Sequence, residues 1–309
     1  MGRFVFRRLL SIIPTILIII TLGFGIIRIA PGGPFSSEKA VPPGVLINLM
    51  AKYHMDEPLL KQYFRFVGGI LQGDLGPSFV NKDFTVNELI SMSLPNSIIL
   101  GLTSLALATL LGVTLGTISA LRQNSILDYT SMSLAVTGIS VPNFVVGPVL
   151  MLIFAIGLKL VPTSGWIDGR QGLKALILPA ITLSLGTFAF IARITRASML
   201  ETLRSDYVRT ARAKGLSMPV IIFKHVLKGA LLPVVSYLGP ACAGLVTGSV
   251  VVEQIFAIPG LGTHFVRSAI NRDYTLIMGT VIVYSLILIA LNFVVDIIYG
   301  FLDPRITYK

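Results

Sequence analysis

The stretch Tyr207-Val-Arg-Thr-Ala-Arg-Ala-Lys-Gly-Leu-Ser-Met-Pro-Val-Ile-Ile-Phe-Lys-His225 stands between two long apolar runs. A connection between packed helices usually needs only about 2–8 residues. This one is longer, carries Arg209, Arg212, Lys214 and Lys224, and is punctuated by Gly215 and Pro219. Met199, Leu203, Tyr207 and Ala211 recur every four residues, which predicts one side of a helix continuing out of the preceding apolar run. Gly215 stops that helix, as glycine does just past a C-terminus. Pro219 opens a second helix, and Val220 to Leu231 leads into the next apolar run. The expected product is a helix–turn–helix projecting from a membrane. A basic helix resting on anionic lipid accounts for the charge as well, but not for the Ala-x-x-x-Gly punctuation.

The membrane follows from composition. Of 309 residues, 54% are hydrophobic and 13% charged, and the mean hydropathy is +0.83. Soluble domains carry about 25% charged residues, so the class is integral membrane protein. The net charge of +11 needs no nucleic acid to explain it, because basic residues collect on the cytoplasmic side of membrane spans. Cys242 is alone, so no internal disulfide forms, and it reads as a small packing residue.

A spanning helix needs about 20 mostly apolar residues. Six segments qualify: Leu9 to Ala30, Pro95 to Leu121, Tyr129 to Leu158, Ala175 to Ala192, Gly229 to Val252 and Tyr274 to Leu302. Arg28 and Asp296 are the only charges inside them. The first, although Arg3, Arg7 and Arg8 precede it, is too long for a signal-peptide core and is expected to be an uncleaved span. Six spans put both termini on one side. That side holds 14 basic residues against four acids, or +10, and the other holds 11 against nine, or +2, with Asp296 between them. The termini, the 121–128 loop and the 193–228 loop are therefore expected in the cytoplasm.

The chain divides into residues 1–30, an N-terminus and first span; 31–94, an extracytoplasmic segment; and 95–309, a five-helix core with the loop 199–228. Within 31–94, Pro43 to Tyr53 and Pro58 to Ile70 read as short helices, and Leu59, Tyr63, Phe66 and Ile70 give the second an apolar face. Gly73-Asp-Leu-Gly76 reads as a turn, and Val86 to Met92 as a further short helix. The segment is either a cap on the spans or a docking surface for an external partner.

Polar residues in apolar places are costly and mark either a path or a buttress. Asp296 is the clearest, with Asn292 one turn earlier and Tyr299 on the same face. It reads as a translocation or proton site, or as a structural support near the cytoplasmic end. Glu253 and Arg28 end the fifth and first spans, and either snorkel or line an outer mouth. His225 has no second ligand at helical spacing, and three histidines with one cysteine give no metal-site pattern. Gly112-x-x-x-Gly116 and Gly244-x-x-x-Gly248 allow close helix approach, while Pro142, Pro148 and Pro240 supply kinks.

Arg209-Thr-Ala-Arg-Ala-Lys-Gly215, followed by apolar residues and Leu232-Pro233, resembles the EAA loop of ABC-importer permease subunits. Arg209 stands where that family often has Glu, and Lys228 where its closing Pro is usual. Both departures fit the peptide and nickel branch. Further blocks match that branch: Phe6-Arg7-Arg8-Leu9 through Ile13-Pro14 to Ala30-Pro31-Gly32; Tyr53-His-Met-Asp-Glu-Pro58 and Gly73-Asp-Leu-Gly76-Pro-Ser78; and Ile258-Pro-Gly-Leu-Gly262 with Arg272-Asp-Tyr274 and Asp303-Pro-Arg305. The short Val161 to Lys174 loop makes the chain most similar to the B-type permeases of oligopeptide importers rather than to dipeptide permeases.

The resemblance implies an all-α, six-span type I ABC-importer transmembrane fold with both termini cytoplasmic. It implies that Tyr207, Arg209, Thr210, Ala211, Arg212, Ala213, Lys214, Gly215 and His225 form a coupling loop against a cytoplasmic ATPase, with Ala211 and Gly215 holding a close-packed turn. It further implies a homologous second permease, two ABC ATPases that use ATP and Mg, and an external peptide-binding protein. That protein would dock near Asp56, Asp74, Arg272 and Asp273. Asp296, Asn292 and Glu253 are the candidates for a path or for structural support. The chain has no Gly-x-x-x-x-Gly-Lys-Ser/Thr loop of its own, so no cofactor is expected on it. The competing expectation is a proton- or ion-driven carrier working through Asp296 without an ATPase.

Overall fold

A computed structural model describes residues 2–29, 33, 43–166, 172–247 and 249–302. Among them the elements are helical: α1 (Gly2–Ile29), α2 (Pro43–Lys52), α3 (Leu59–Leu71), α4 (Val86–Leu121), α5 (Ile126–Ser140), α6 (Asn143–Leu150), α7 (Lys174–Leu203), α8 (Asp206–Ala213), α9 (Met218–Val220), α10 (Leu227–Ala230), α11 (Leu232–Thr247), α12 (Val250–Ile255), α13 (Leu261–Ile270) and α14 (Tyr274–Leu302). Two π-helical turns, Met151–Gly157 and Ile221–Val226, extend α6 and α9. Among the described residues five helices are long and apolar enough to cross a membrane, or six if the bent pair counts as one span. Among the described residues the chain forms two units, one within Met1–Ser97 and Pro259–Ala290, the other within Ile98–Ile258 and residues 291–302.

In the first unit, α3 lays Tyr63, Phe66 and Ile70 against Ile20, Met278 and Ile282. Leu59, expected on the same face, is exposed; it stands at the first residue of the helix, beyond the packed stripe. Val86, Leu89, Ile90, Leu261 and Leu276 form a second cluster. The Val86 side chain of α4 packs directly onto the α14 backbone there: a Cβ on Gly279 would lie 2.4 Å from Val86 Cγ1. Gly73 and Gly76 both have positive φ, 77° and 85°, and form the turn before α4. Val86 to Met92 is no separate short helix, because α4 runs unbroken for 36 residues through Pro95. At 1.5 Å per residue it is about 54 Å long, well beyond the ~30 Å hydrocarbon core, so its first turns stand outside. Glu57 gathers His54, Lys61 and Arg65. Desolvation pushes its carboxyl up, but the hydrogen bonds and charges of Lys61 and Arg65 outweigh that and hold it below the usual range.

In the second unit, α7 is the central helix. Two thirds of its apolar window is buried (67%), against 6% for α1. Gly112 and Gly116 of α4 meet it: a Cβ would stand 2.7 Å from Ile191 Cγ2 and 2.6 Å from the Ala192 carbonyl. Gly101 likewise meets Val246 of α11. The first small-residue motif thus seats one helix backbone on another. The second does not behave alike, because nothing lies within 4 Å of a Cβ on Gly244, and Gly248 is outside the described residues. The hydroxyls of Thr103, Ser104, Thr109 and Thr114 each donate to the carbonyl four residues earlier. They therefore carry no unpaired donor into the apolar layer.

The third apolar run is the main departure. Pro142 does not merely kink it: α5 and the helix from Asn143 to Gly157 are bent by 111°. The residue before a proline is driven out of the α region, and Val141 is extended, with φ −98° and ψ 121°. Ser140 therefore ends α5, and α6 restarts with its own direction. Pro148 precedes the π-turn at Met151–Gly157, which the bond from Leu158 N to Ile153 O closes.

Candidate functional site

The loop after α7 is built by caps. The α7 helix stops at Leu203, where Arg204 N donates to Glu201 O and Ser205 Oγ to Thr202 O. The expected uninterrupted helix from Met199 to Ala211 is therefore two helices. The break shifts the register of the four-residue spacing, so that Val208, not Tyr207, joins Met199 and Ala211 on the buried side. Met199, Val208, Ala211, Ile221, Val226 and Ala230 form one buried cluster with Ala120, while Tyr207 is half exposed. Asp206 sits in the first turn of α8 and Arg212 in the last, as the helix dipole favours. Arg209 reaches Asp206 at 3.3 Å, but both are exposed and such a pair contributes little.

The end of α8 is a Schellman turn. Gly215 N donates to Arg212 O at 2.9 Å and Leu216 N to Ala211 O at 3.3 Å. Gly215 has φ +77°, and a Cβ there would meet nothing within 4 Å. Ala211 is packed tightly, but Gly215 is not: its glycine answers to backbone conformation, not to crowding. Arg209, Thr210, Arg212, Ala213 and Lys214 are exposed, and His225 is half-buried in the π-turn. Sequence reasoning passed over Phe223, which is 75% exposed, and Met218 and Val220, also exposed. With Tyr207, Arg209 and Arg212 they put exposed apolar and basic side chains on the same loop, a composition that suits a docking site.

A buried ion pair anchors the same end of this unit. Arg196 of α7 donates from Nε and Nη2 to the two Asp128 oxygens, both at 2.7 Å. Ser119 Oγ donates to Asp128 Oδ1, and Asn124 N to Oδ2 at 2.9 Å. Asp128 is 2% exposed. In sequence both residues read only as loop charges; neither spacing nor hydropathy signals a contact between residues 128 and 196.

Other candidates fall differently. Asp273 cannot present itself to a binding protein, because it is 1% exposed. Its carboxylate accepts from Ser78 Oγ at 2.5 Å and from Phe79 N, Val80 N and Leu276 N. It staples the loop before α4 to the start of α14. Asp56 and Asp74 are exposed, and Asp74 Oδ1 accepts from Gly76 N. Arg272 is half-buried in a left-handed turn, φ +57°. Glu253 neither snorkels nor faces a mouth: it is fully buried, and Ser249 Oγ donates to Oε1 at 2.5 Å. Arg28 does not snorkel freely either, being half-buried over the Phe24 and Tyr274 rings. Asn292 is half-buried on α14. The Asp296 and Tyr299 side chains, and Asp303 and Arg305, lie outside the described residues.

Comparison with known proteins settles the class. A family model described as "Binding-protein-dependent transport system inner membrane component" matches residues 112–308, and its N-terminal companion matches residues 1–101. An oligopeptide transport system permease protein of Haemophilus influenzae is 50% identical over 308 residues, covering 100% of both chains. A dipeptide transport system permease protein of Bacillus subtilis is 46% identical over 306 residues, covering 99% of this chain and 98% of its own. Among solved structures, an inward-facing methionine ABC transporter superposes with TM-score 0.53 at 19% identity, covering 68% of this chain and 96% of that one. An amino acid ABC transporter gives 0.52 at 14%, covering 71% and 94%. At such identities the likeness speaks for the fold alone. The carrier alternative has no support among these relatives. With a helical membrane fold, a capped basic loop and full-length relatives that are permeases, the chain belongs to the family of binding-protein-dependent transport system inner membrane components, the permease subunits of ABC importers, which carry no ATPase site of their own.

Proposed function

We propose that this chain is a permease subunit of an ATP-driven peptide importer, with oligopeptides as its substrates. A second, homologous permease completes the path. Two cytoplasmic ATPases consume ATP with Mg and pull on the loop 199–228, and an external binding protein delivers peptide to the 31–94 segment. Both termini lie in the cytoplasm, as the charge asymmetry favours. The single observation that carries the coupling role is the knob itself. Buried Val208 and Ala211 fasten α8 to the span ends, while Tyr207, Arg209, Arg212, Lys214 and Phe223 stand outward for a partner. Closure of the ATPases would then move the spans as rigid bodies and alternate access. The oligopeptide substrate rests on the 50% identical relatives named for it.

The test is uptake by the complex purified from native membranes and reconstituted in vesicles. A labelled oligopeptide is expected to accumulate only with ATP on the loop side and binding protein on the other, and to keep accumulating when the proton gradient is collapsed. Uptake that stops with the gradient while ATP persists would contradict the reading. A dipeptide in the same assay reports the length preference.

A further inference from the structure

The last turn of α1 forms one wall of a cavity of about 390 Å³ in the first unit. Aromatic rings of Phe24, Tyr53, Phe66, Phe79 and Tyr274 line it. Arg28 lies among them, its guanidinium carbon 5.0 Å from the Phe24 ring centre and 5.6 Å from that of Tyr274. Its one hydrogen bond among the described residues goes to the Met55 sulfur at 3.2 Å, a weak acceptor. No described carboxylate lies within ion-pair distance of it or of Lys52, whose ammonium stands over Tyr53 at 5.4 Å. Arg65 also lines the cavity but is engaged by Glu57 at 2.6 Å. The one acid on the wall, Asp74, already accepts from Gly76 N. The space therefore offers guanidinium donors and a second cation inside an apolar cup. A ligand that fits it has acceptor oxygens at one end and an apolar body.

The position says where such a ligand comes from. Leu10–Ile29 is long enough to span, and only 6% of its window is buried within this chain, so most of its surface is open to a bilayer. Arg28 stands at its last turn, and the end of a span-length helix is where the headgroup region of a bilayer would meet it. Phe24 and Ile27, one turn earlier, line the same cavity. We infer that this cavity is a binding site for an anionic phospholipid, with the phosphate on Arg28, Lys52 as the second cation, and the acyl chains along α1. Arg is suited to the role because its fork pairs with phosphate oxygens and its plane stacks on aromatic faces.

The experiment uses the complex purified in detergent and stripped of lipid, then titrated with dioleoylphosphatidylglycerol and weighed by native mass spectrometry. Arg28→Gln is expected to weaken retention about tenfold, the cost of one charge-assisted contact. Arg28→Lys is expected to fall between, and Lys82→Gln, an exposed cation elsewhere, to change nothing. Thermal unfolding of each variant checks the fold, and Lys52→Gln, at the cavity rim, gives an independent arm with a smaller expected loss should Arg28→Gln not fold. Inorganic phosphate at the lipid's concentration is expected not to compete. Undiminished retention in both Arg28→Gln and Lys52→Gln would overturn the site. Displacement by inorganic phosphate would make it a free-anion site, and displacement by an oligopeptide would make it a substrate site; either overturns the lipid. The readout is retention, not transport, so its failure is distinguishable from failure of the importer reading.

Discussion

Replacing Asp128 with Asn is expected to destabilise the chain by about 3–5 kcal/mol, a large share of a typical stability of about 5–15 kcal/mol. Asn keeps the size of the side chain but removes the charge that two Arg196 donors and the Ser119 hydroxyl are aimed at. Arg196 would be left as an uncompensated cation beside a site that is 2% exposed on the acid side. Because the Arg196 side chain is 26% exposed, water offsets part of that cost, and the lower half of the range is expected. The partner test is the joint replacement Asp128→Leu with Arg196→Met. Removing both charges costs far less than removing one, so the double variant should recover most of the thermal unfolding temperature that Asp128→Asn loses. A single variant that unfolds at the wild-type temperature, or a double variant no better than the single, would contradict this account of the ion pair.

Gly215→Val is expected to lower ATP-driven uptake about tenfold while the chain still folds. Holding a residue with a Cβ in the left-handed region costs about 1–2 kcal/mol, more for a β-branched one, and 1.4 kcal/mol is a factor of ten in population. The Schellman turn would relax, and α8 would lose its fixed direction, which the proposed coupling requires. Gly215→Asn separates this cause from simple crowding. Asn tolerates the left-handed conformation, and nothing lies within 4 Å of a Cβ at that position. It should therefore retain most of the uptake. Equal loss in Asn and Val would show that the glycine is needed for close packing against a partner.

Much of this was legible in sequence, for reasons that particular residues make plain. Apolar runs of span length, Gly73 and Gly76 in their turn, and the Gly112-x-x-x-Gly116 seat all write their roles locally. Gly215 and Pro219 punctuated the loop where the structure does. What stayed hidden depends on contacts distant in sequence. The break at Arg204 and Ser205 leaves the four-residue spacing of Met199 to Ala211 intact on paper, yet it turns Tyr207 outward and Val208 inward. Asp128 and Arg196 are 68 positions apart, and Asp273 meets Ser78 across 195. No periodicity encodes such meetings. Asp273 looked like a surface acid because it sits between helices, where loops normally face water. The Pro142 bend was visible as a proline, but its size, 111°, comes from Val141 turning extended before it. Glu253 read as a span-end charge, and only its full burial and the hydrogen bond it accepts from Ser249 Oγ show that it faces inward.

The central claim is that the knob between α7 and α11 is held by an ATPase. A photo-crosslinking amino acid placed at position 207, in the complex as purified from membranes, tests it most directly. Tyr207 is half exposed, so the substitution leaves the buried cluster untouched. The account predicts a crosslink to a nucleotide-binding subunit whose yield changes when ATP is added. Efficient uptake with no crosslink from that position to any ATPase chain, with or without ATP, would contradict it.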